Sequence, residues 1–475
     1  MTLAGELAGE RRRIVAIVCG GFAVRMAVAA LVPLTSDEAY YVDWARHLAA
    51  GYLDHPPLVA WLIAGSLRLL GPAVAAVRLP AVVLQAVTTL LAASLARALA
   101  GPGAALVAVL ALQAAPVFSL GALLMTPDAP LALAWMGALW SLERAFRVRS
   151  GQWRFWIAMG LFLGLGALAK LHAGLIGLCL AASLLATSDG RRALLTPWPW
   201  VGALLALAVC SPFLLWNAKH GWATFTFQAR HGLSAAPVSM GASLARILGS
   251  VAGQLAYVSP LLLVAVVAAG WRALVAGPRV GAPRFALALS ALPVVAFFTG
   301  AAALSRGALP HWAAPGWLSG TVLLAAAGSS LIRPAVKLGL AMSALLLVAL
   351  PLAPLLVGGP LDELRGWKEA VEAARAIDPR AHLATTHWMA VGQLGWYAQE
   401  PVEYLSDRVA GPTYYDTSSD PRPLLVVAPV GLGPGRSELE RLAGPLQEKG
   451  SFVASCRGRP FRTYRFYAPL SQAHR

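Results

Sequence analysis

Charge is what this chain has least of. Only 13% of its 475 residues are Asp, Glu, Lys or Arg, against about 25% in an average soluble domain. One buried core cannot absorb so large a deficit, so an ordinary soluble enzyme is excluded. Acidic residues are the scarcer half: 22 Asp and Glu stand against 38 Lys and Arg, giving a formal charge of +16. Nucleic acid is one partner for a basic chain. Here the arginines fall between apolar runs, so topology explains them and no nucleic-acid partner is implied. Cysteine is nearly absent. Cys19, Cys179 and Cys210 lie inside apolar runs, and neither they nor Cys456 have metal-ligand spacing, so no disulfide framework is read. Internal repeats are lacking too, which weakens an inverted-repeat transporter.

What is present is apolar length. Hydrophobic residues make up 58% of the chain, gathered in runs that approach the roughly 20 residues needed to cross a bilayer. Gly and Pro number 45 and 33. Membrane helices tolerate both, because neighbouring helices and water re-satisfy the freed backbone groups. The pattern predicts about eleven spans, within a range of ten to twelve because the short fourth to sixth could be tilted pairs or include a re-entrant one: Ile14–Leu34, Leu79–Leu99, Ala104–Leu124, Ala129–Leu142, Phe155–Ala169, Ala173–Leu185, Val201–Trp216, Ile247–Ala269, Phe285–Leu304, Ala313–Ala327 and Leu338–Val357. Arg11-Arg12-Arg13 before the first run resembles a signal peptide, but the run is too long and no small-x-small site follows, so it reads as an uncleaved span.

Cytoplasmic loops collect Lys and Arg. With Arg11 to Arg13 inside, the even-numbered loops are predicted to lie inside as well. From the fourth onward they carry Arg144, Arg147, Arg149 and Arg154, then Arg191 and Arg192, then Arg272, Arg279 and Arg284, then Arg333 and Lys337. The N-terminus is thus expected in the cytoplasm and the C-terminus outside.

Three segments break the hydropathy. The first outer loop, residues 35–78, reads as two interfacial helices, Glu38–Ala50 and Leu58–Leu70, separated by Pro56-Pro57. The outer loop from Asn217 to Arg246 is aromatic and basic. The tail, residues 358–475, is soluble in composition. It alternates a helix near Trp367–Ile377, a strand near Leu383–Thr386, a helix near Trp388–Tyr397, a strand at Leu424–Pro429, a helix near Ser437–Lys449, and strands near Phe452–Cys456 and Thr463–Ala468. The expected architecture is an all-α polytopic membrane domain, residues 1–357, followed by a small α/β domain outside the cytoplasm.

The polar residues that could carry chemistry share one predicted side. They are Asp37 and Glu38, Asp54 and His55, Asp128, Lys170 and His172, the stretch Asn217 to Trp222, and Arg306 and His311. Ionisable residues at membrane level are functional candidates by default. Each also has a plain reading. Asp37 and Asp128 fit helix N-caps. Lys170 and Arg306 fit snorkelling side chains, and Trp198 and Trp200 an aromatic belt. His55, His172 and His311 fit interfacial histidines. What lifts the set is co-location: two carboxylates and several cations meet on one face. A lipid phosphate needs cations at headgroup level, and a hydroxyl nucleophile needs a carboxylate base.

Five motifs in order resemble a known family. They are Ser36-Asp37-Glu38-Ala39-Tyr40-Tyr41 with Gly51-Tyr52-Leu53-Asp54-His55-Pro56-Pro57; Arg78-Leu79-Pro80; Thr126-Pro127-Asp128-Ala129-Pro130; Trp216-Asn217 with His220-Gly221-Trp222; and His311-Trp312-Ala313-Ala314-Pro315. Together they resemble the dolichyl-phosphate-mannose protein mannosyltransferases, glycosyltransferase family 39 of the GT-C fold. Within the family the likeness is to the bacterial branch: the rhizobial lipid A galacturonosyltransferase-like proteins and, more distantly, the aminoarabinose transferases. The resemblance implies a polyprenyl-phosphate-linked sugar as donor, a lipid or glycan acceptor, and inverting transfer on the outer face of the cytoplasmic membrane. By position, Asp37 would be the general base and Asp128 a second acidic residue of the site. Glu38, Asp54 and His55 would support them. Lys170, His172, Arg306 and His311 would bind the donor phosphate. Where the aminoarabinose transferases have an acidic-Lys-Pro-Pro sequence, this chain has His55, which is only partly charged at neutral pH. A divalent metal is left open, since no helix spacing enforces a ligand set. Two rival classes stay in view: a lipid or solute transporter, and a non-catalytic scaffold with a binding tail. A transporter would bury charges at mid-span, and such charge is nearly absent here; Arg25 is the main exception, and nothing in the sequence accounts for it.

Overall fold

The computed structural model describes residues 3–232, 239–305, 309–355, 360–405, 422–433 and 435–470. Two compact units emerge. One comprises Met1–Ala27, Ala50–Val59 and Arg78–Val348; the other comprises Val28–Ala49, Ala60–Val77 and Ala349–Arg475.

The first unit is helical, and its helices do not map one to one onto the expected spans. Among the described residues six helices are long and apolar enough to cross a membrane, or eight if each of two bent pairs is one span. The count of eleven is not confirmed, for local reasons. Pro116 ends the helix Ala104–Ala114, and the chain turns by 80° into Pro116–Leu123. Ala173–Ala186 turns by 104° into Ser188–Leu194, where Thr187 caps the second helix through the Gly190 N–H. The expected span Ile247–Ala269 is two helices, Met240–Val258 and Pro260–Ala276. They part at Ser259, which has φ of 76° and precedes a proline that removes a helical N–H.

Small residues let these helices touch backbone to backbone. Gly160 and Gly164 lie on one face of Trp153–Ala169, four apart, the membrane-type pattern for close helix pairs. A Cβ on Gly160 would lie 2.1 Å from the Gly202 carbonyl, and one on Gly164 would lie 2.6 Å from Val209. Polar side chains then tie helix to helix. Trp135 Nε1 donates to Ser319 Oγ at 2.9 Å, and Trp317 Nε1 donates to Gln254 Oε1 at 3.1 Å.

The second unit contains a five-stranded sheet: β1 (His382–Thr385), β2 (Glu403–Tyr404), β3 (Leu424–Pro429), β4 (Leu446–Cys456) and β5 (Arg459–Pro469). The strand order is β2-β1-β3-β5-β4. β1 runs parallel to β2 and β3, and β5 runs antiparallel to β3 and β4. The helix Trp367–Ile377 lays Trp367, Ala370, Val371 and Ala374 on this sheet, a one-face helical spacing. The expected helix 437–449 stops early, at Arg436–Ala443, because Gly444 takes φ of 78° and Pro445 follows. Residues from Leu446 join β4 instead.

The tail helix Trp388–Ala398 packs directly on the helix Ser36–Arg46. Gly392 makes this possible, since a Cβ there would lie 2.4 Å from the backbone of Ala39 and Tyr40. Gln393 Nε2 donates to the Leu34 carbonyl at 2.9 Å, and Arg46 Nη1 donates to the Gly395 and Glu400 carbonyls at 2.9 and 3.1 Å. Gly392→Val should therefore destabilise this unit by at least about 1–3 kcal/mol, the usual cost of overpacking. A thermal melt unchanged from wild type would show that the two helices do not need their close approach.

Candidate active site

The first unit brings together Asp128, Lys170, His172 and His311, with His55 near enough to act on His172 electrostatically. Asp128 opens the helix Asp128–Arg147, whose N-cap is Pro127, and no side chain caps that end. The capping reading of Asp128 therefore gives way. Its charge instead complements the helix dipole and meets Lys170. Lys170 Nζ lies 2.8 and 2.9 Å from the two Asp128 carboxylate oxygens.

Lys170 reaches that point because the chain kinks there. It is the extended C-cap of Trp153–Ala169, the helix locked by Gly160 and Gly164, and Ala173–Ala186 begins three residues on. The lysine side chain is 6% exposed and the aspartate 33%. A snorkelling lysine would face water, so the structure replaces that reading with a buried cation on a partly open carboxylate.

The histidines are placed by rings and by a glycine. His172 stacks on Phe298, with centroids 4.7 Å apart and planes 15° apart, and Trp312 meets it edge-on at 5.9 Å. Its Nε2 is buried and has no hydrogen-bond partner among the described residues. Gly253 admits the Pro310 ring, since a Cβ there would lie 2.3 Å from Pro310 Cγ, and this seats His311 beside the pair.

These groups lie between the spans, and burial sets their protonation. Burial pushes the Asp128 carboxyl up, but Lys170 and His311 outweigh it and leave the carboxyl below its ordinary 3.8. Burial, reinforced by Lys170, drives His172 well below 6.5. Burial also lowers His311, against the pull of Asp128. At neutral pH the cluster is therefore an ion pair flanked by two uncharged imidazoles, not the row of cations the sequence suggested.

A histidine with a depressed folded pKa binds fewer protons folded than unfolded in the window between the two values. Stability from these residues is thus complete above about pH 6.5 and falls as pH drops through it toward the folded values. The melting temperature should decline between about pH 7 and 5, and His311→Asn should flatten that decline. Equal slopes in wild type and variant would assign the decline to other groups.

The stretch Asn217 to Trp222 buttresses this cluster. Asn217 is fully buried; its Nδ2 donates to the Phe213 carbonyl at 3.2 Å and its Oδ1 accepts from the Thr224 N–H at 3.1 Å. Thr224 Oγ1 donates to the Tyr52 carbonyl at 2.6 Å, and Gln228 Nε2 donates to the Asp54 carbonyl. Gly51 packs against Trp216, where a Cβ would lie 2.5 Å from the indole. The aromatic loop therefore holds the turn that carries Asp54 and His55. Arg306 lies outside the described residues.

Asp37 and Glu38 belong to the second unit. Thr35, not Asp37, is the N-cap of Ser36–Arg46, and Glu38 completes a capping box. Thr35 N–H and Oγ1 both donate to Glu38 Oε2, at 3.1 and 3.2 Å, and the Glu38 N–H donates to Thr35 Oγ1 at 3.3 Å. Glu38 is fully buried, while Asp37, in the same turn, is exposed. The Thr-x-x-Glu pattern that signals this box was present in the sequence. Among the described residues no group of three or more His, Cys, Asp or Glu side chains is placed to hold a metal ion.

Comparison with known proteins agrees with this architecture. Residues 54–216 match the family model of the dolichyl-phosphate-mannose-protein mannosyltransferases. The chain is 28% identical over 296 residues to lipid A galacturonosyltransferase RgtD of Rhizobium johnstonii, covering 60% of this chain and 59% of the relative. The structure superposes on ArnT from Cupriavidus metallidurans with a TM-score of 0.65 at 18% identity, covering 96% of this chain and 98% of ArnT. A second ArnT structure, with undecaprenyl phosphate bound, matches at a TM-score of 0.65. The archaeal oligosaccharyltransferase AglB from Archaeoglobus fulgidus, in complex with an inhibitory peptide and a dolichol-phosphate, matches at 0.53 and 11% identity, over 82% of this chain and 64% of AglB.

Proposed function

We propose that this polytopic membrane protein of the GT-C fold is an inverting glycosyltransferase. It moves a sugar from a polyprenyl-phosphate carrier to an acceptor hydroxyl in lipid A, a polysaccharide or another envelope glycoconjugate. The observation that carries the reading is the buried Lys170 on the Asp128 carboxylate, with His172 and His311 beside it, in a fold shared with an ArnT structure that holds undecaprenyl phosphate. In this reading the protein sits in the cytoplasmic membrane with its N-terminus in the cytoplasm. Residues 1–357 form the membrane domain and residues 358–475 face the periplasm.

Transfer breaks the bond between the anomeric carbon and the phosphate oxygen. It forms a bond from the acceptor oxygen to the opposite face of that carbon. Charge grows on the departing phosphate, and fixed donors aimed at it lower the barrier. Lys170 supplies the charge; His172 and His311 supply N–H donors, and a phosphate beside them would raise their proton affinity. Arg306 belongs to the same phosphate set by sequence. Asp128 is a poor base, because its pKa is held below the ordinary range. Its part is to hold Lys170 in place. The acceptor proton goes to Asp37, with Asp54 and His55 in support. No step in this scheme calls on a metal. The comparisons do not favour the transport reading.

The test is sugar transfer by purified, reconstituted protein from a panel of polyprenyl-phosphate sugars to envelope lipid and glycan acceptors. Transfer with inversion at the anomeric carbon is expected. A folded protein that transfers from no donor would overturn the reading in favour of transport or a scaffold.

A further inference from the structure

Arg25 lies inside the first span and is 5% exposed. It does not snorkel to water, and among the described residues it meets no carboxylate. Its Nε donates to the Ser119 carbonyl at 3.0 Å, and its Nη2 donates to Ser119 Oγ at 3.4 Å and to Gln113 Oε1. Gly21, one turn earlier, leaves room for the guanidinium, since a Cβ there would lie 2.7 Å from Arg25 Nη1.

These partners stand on either side of the 80° bend. Gln113 is in the last turn of Ala104–Ala114, and Ser119 is in the last turn of Pro116–Leu120. Each short helix presents the negative end of its dipole there, in a setting where loose backbone groups are costly. One planar guanidinium with several donors in fixed directions bridges the two, meeting a backbone carbonyl on the Ser119 side and the Gln113 side-chain oxygen on the other. A second anchor fixes the bend at Ala114. Its carbonyl accepts from Ser343 Oγ at 3.3 Å, and a Cβ on Gly339 would lie 2.4 Å from the same oxygen. From Ser119 the chain runs through the short turn Gly121–Leu123 and the bond from the Ala129 N–H to the Thr126 carbonyl, 3.1 Å, into Asp128.

We propose that Arg25 is a positioning residue: it clamps the bent helix pair and thereby sets where Asp128 meets Lys170. The clamp itself stands on the geometry alone, and its effect on transfer rests on the function proposed above. Displacing a site group by about 1 Å can cost about a hundredfold in rate. Arg25→Met should therefore lower kcat/KM for a polyprenyl-phosphate sugar by about that factor, with a raised donor KM. Arg25→Lys should regain part of the loss, because one ammonium reaches one side of the bend but does not bridge it.

The deciding measurement is amide hydrogen exchange over residues 113–128 in the full-length protein. Arg25→Met should speed exchange there by about tenfold or more, as expected when a local opening loses its anchor. If that variant does not fold, Gln113→Leu, which keeps the arginine and removes one side of the clamp, should speed the same segment to a lesser degree. Unchanged exchange in a folded Arg25→Met protein would overturn the clamp. So would a reduced yield of protein with wild-type donor KM, since that is what a purely structural arginine would give. Failure of the wild type to transfer sugar would sink the function and leave the exchange result standing.

Discussion

Asp37→Asn should cut sugar transfer by at least about a hundredfold, the usual worth of a positioned general base, and leave the fold intact. The second half of that expectation comes from the structure. Thr35 and Glu38 together cap the helix Ser36–Arg46, so the cap does not depend on Asp37, and a nearly isosteric amide in its place keeps the shape of the side chain. Glu38 makes the contrasting control. Glu38→Ala removes a buried carboxylate that accepts from both the N–H and the hydroxyl of Thr35, and losing a cap costs about 0.5–2 kcal/mol. It should lower the melting temperature more than Asp37→Asn does. Any loss of activity should follow the folded fraction. Equal transfer by wild type and Asp37→Asn would leave a transferase whose base lies elsewhere. A large fall in melting temperature with Asp37→Asn would mean that the carboxylate is structural after all.

The two adjacent acids show where sequence reading succeeded and where it stopped. Position in a motif singled out both. It did not separate the exposed one from the buried one, because an Asp after an apolar run looks like a cap. The Thr-x-x-Glu spacing carried the answer, and it was legible. In the tail, Trp367–Ile377 declared itself by its one-sided apolar spacing, and β3 by a short apolar run. The early stop at Gly444 was missed, although Gly-Pro is a strong breaker. Likewise Pro260 marked the break that splits the expected eighth span, but an apolar run on both sides of it hid the signal.

Other features were not legible at all. Lys170 is buried at the kink between Trp153–Ala169 and Ala173–Ala186, against Asp128 of another helix, and that meeting is set by tertiary packing. Burial likewise favours the uncharged forms of His172 and His311. Asn217 to Trp222 looked like a site because its residues are polar and aromatic. Only the fold shows that Asn217 satisfies backbone groups and that Thr224 and Gln228 hold the turn bearing Asp54 and His55.

The Asp128–Lys170 pair offers a test in which stability and activity should rank two variants oppositely. Lys170 is the buried member and Asp128 the partly open one. Asp128→Asn strands an ammonium in the interior, and an uncompensated buried charge costs about 3–5 kcal/mol. Lys170→Met strands a carboxylate that water still reaches, so its cost should be smaller. For transfer the order reverses. Lys170 meets the departing phosphate in the proposed mechanism, and loss of one such fixed donor costs about 10²–10³ in kcat. Asp128→Asn keeps that charge and misplaces it. The double variant removes both charges, so it should melt above Asp128→Asn yet stay as inactive as Lys170→Met. Melting curves and single-turnover transfer on the three proteins decide it. If Asp128→Asn proves the less active of the two single variants, the carboxylate does chemistry of its own, and the assignment of the base to Asp37 would have to be reopened.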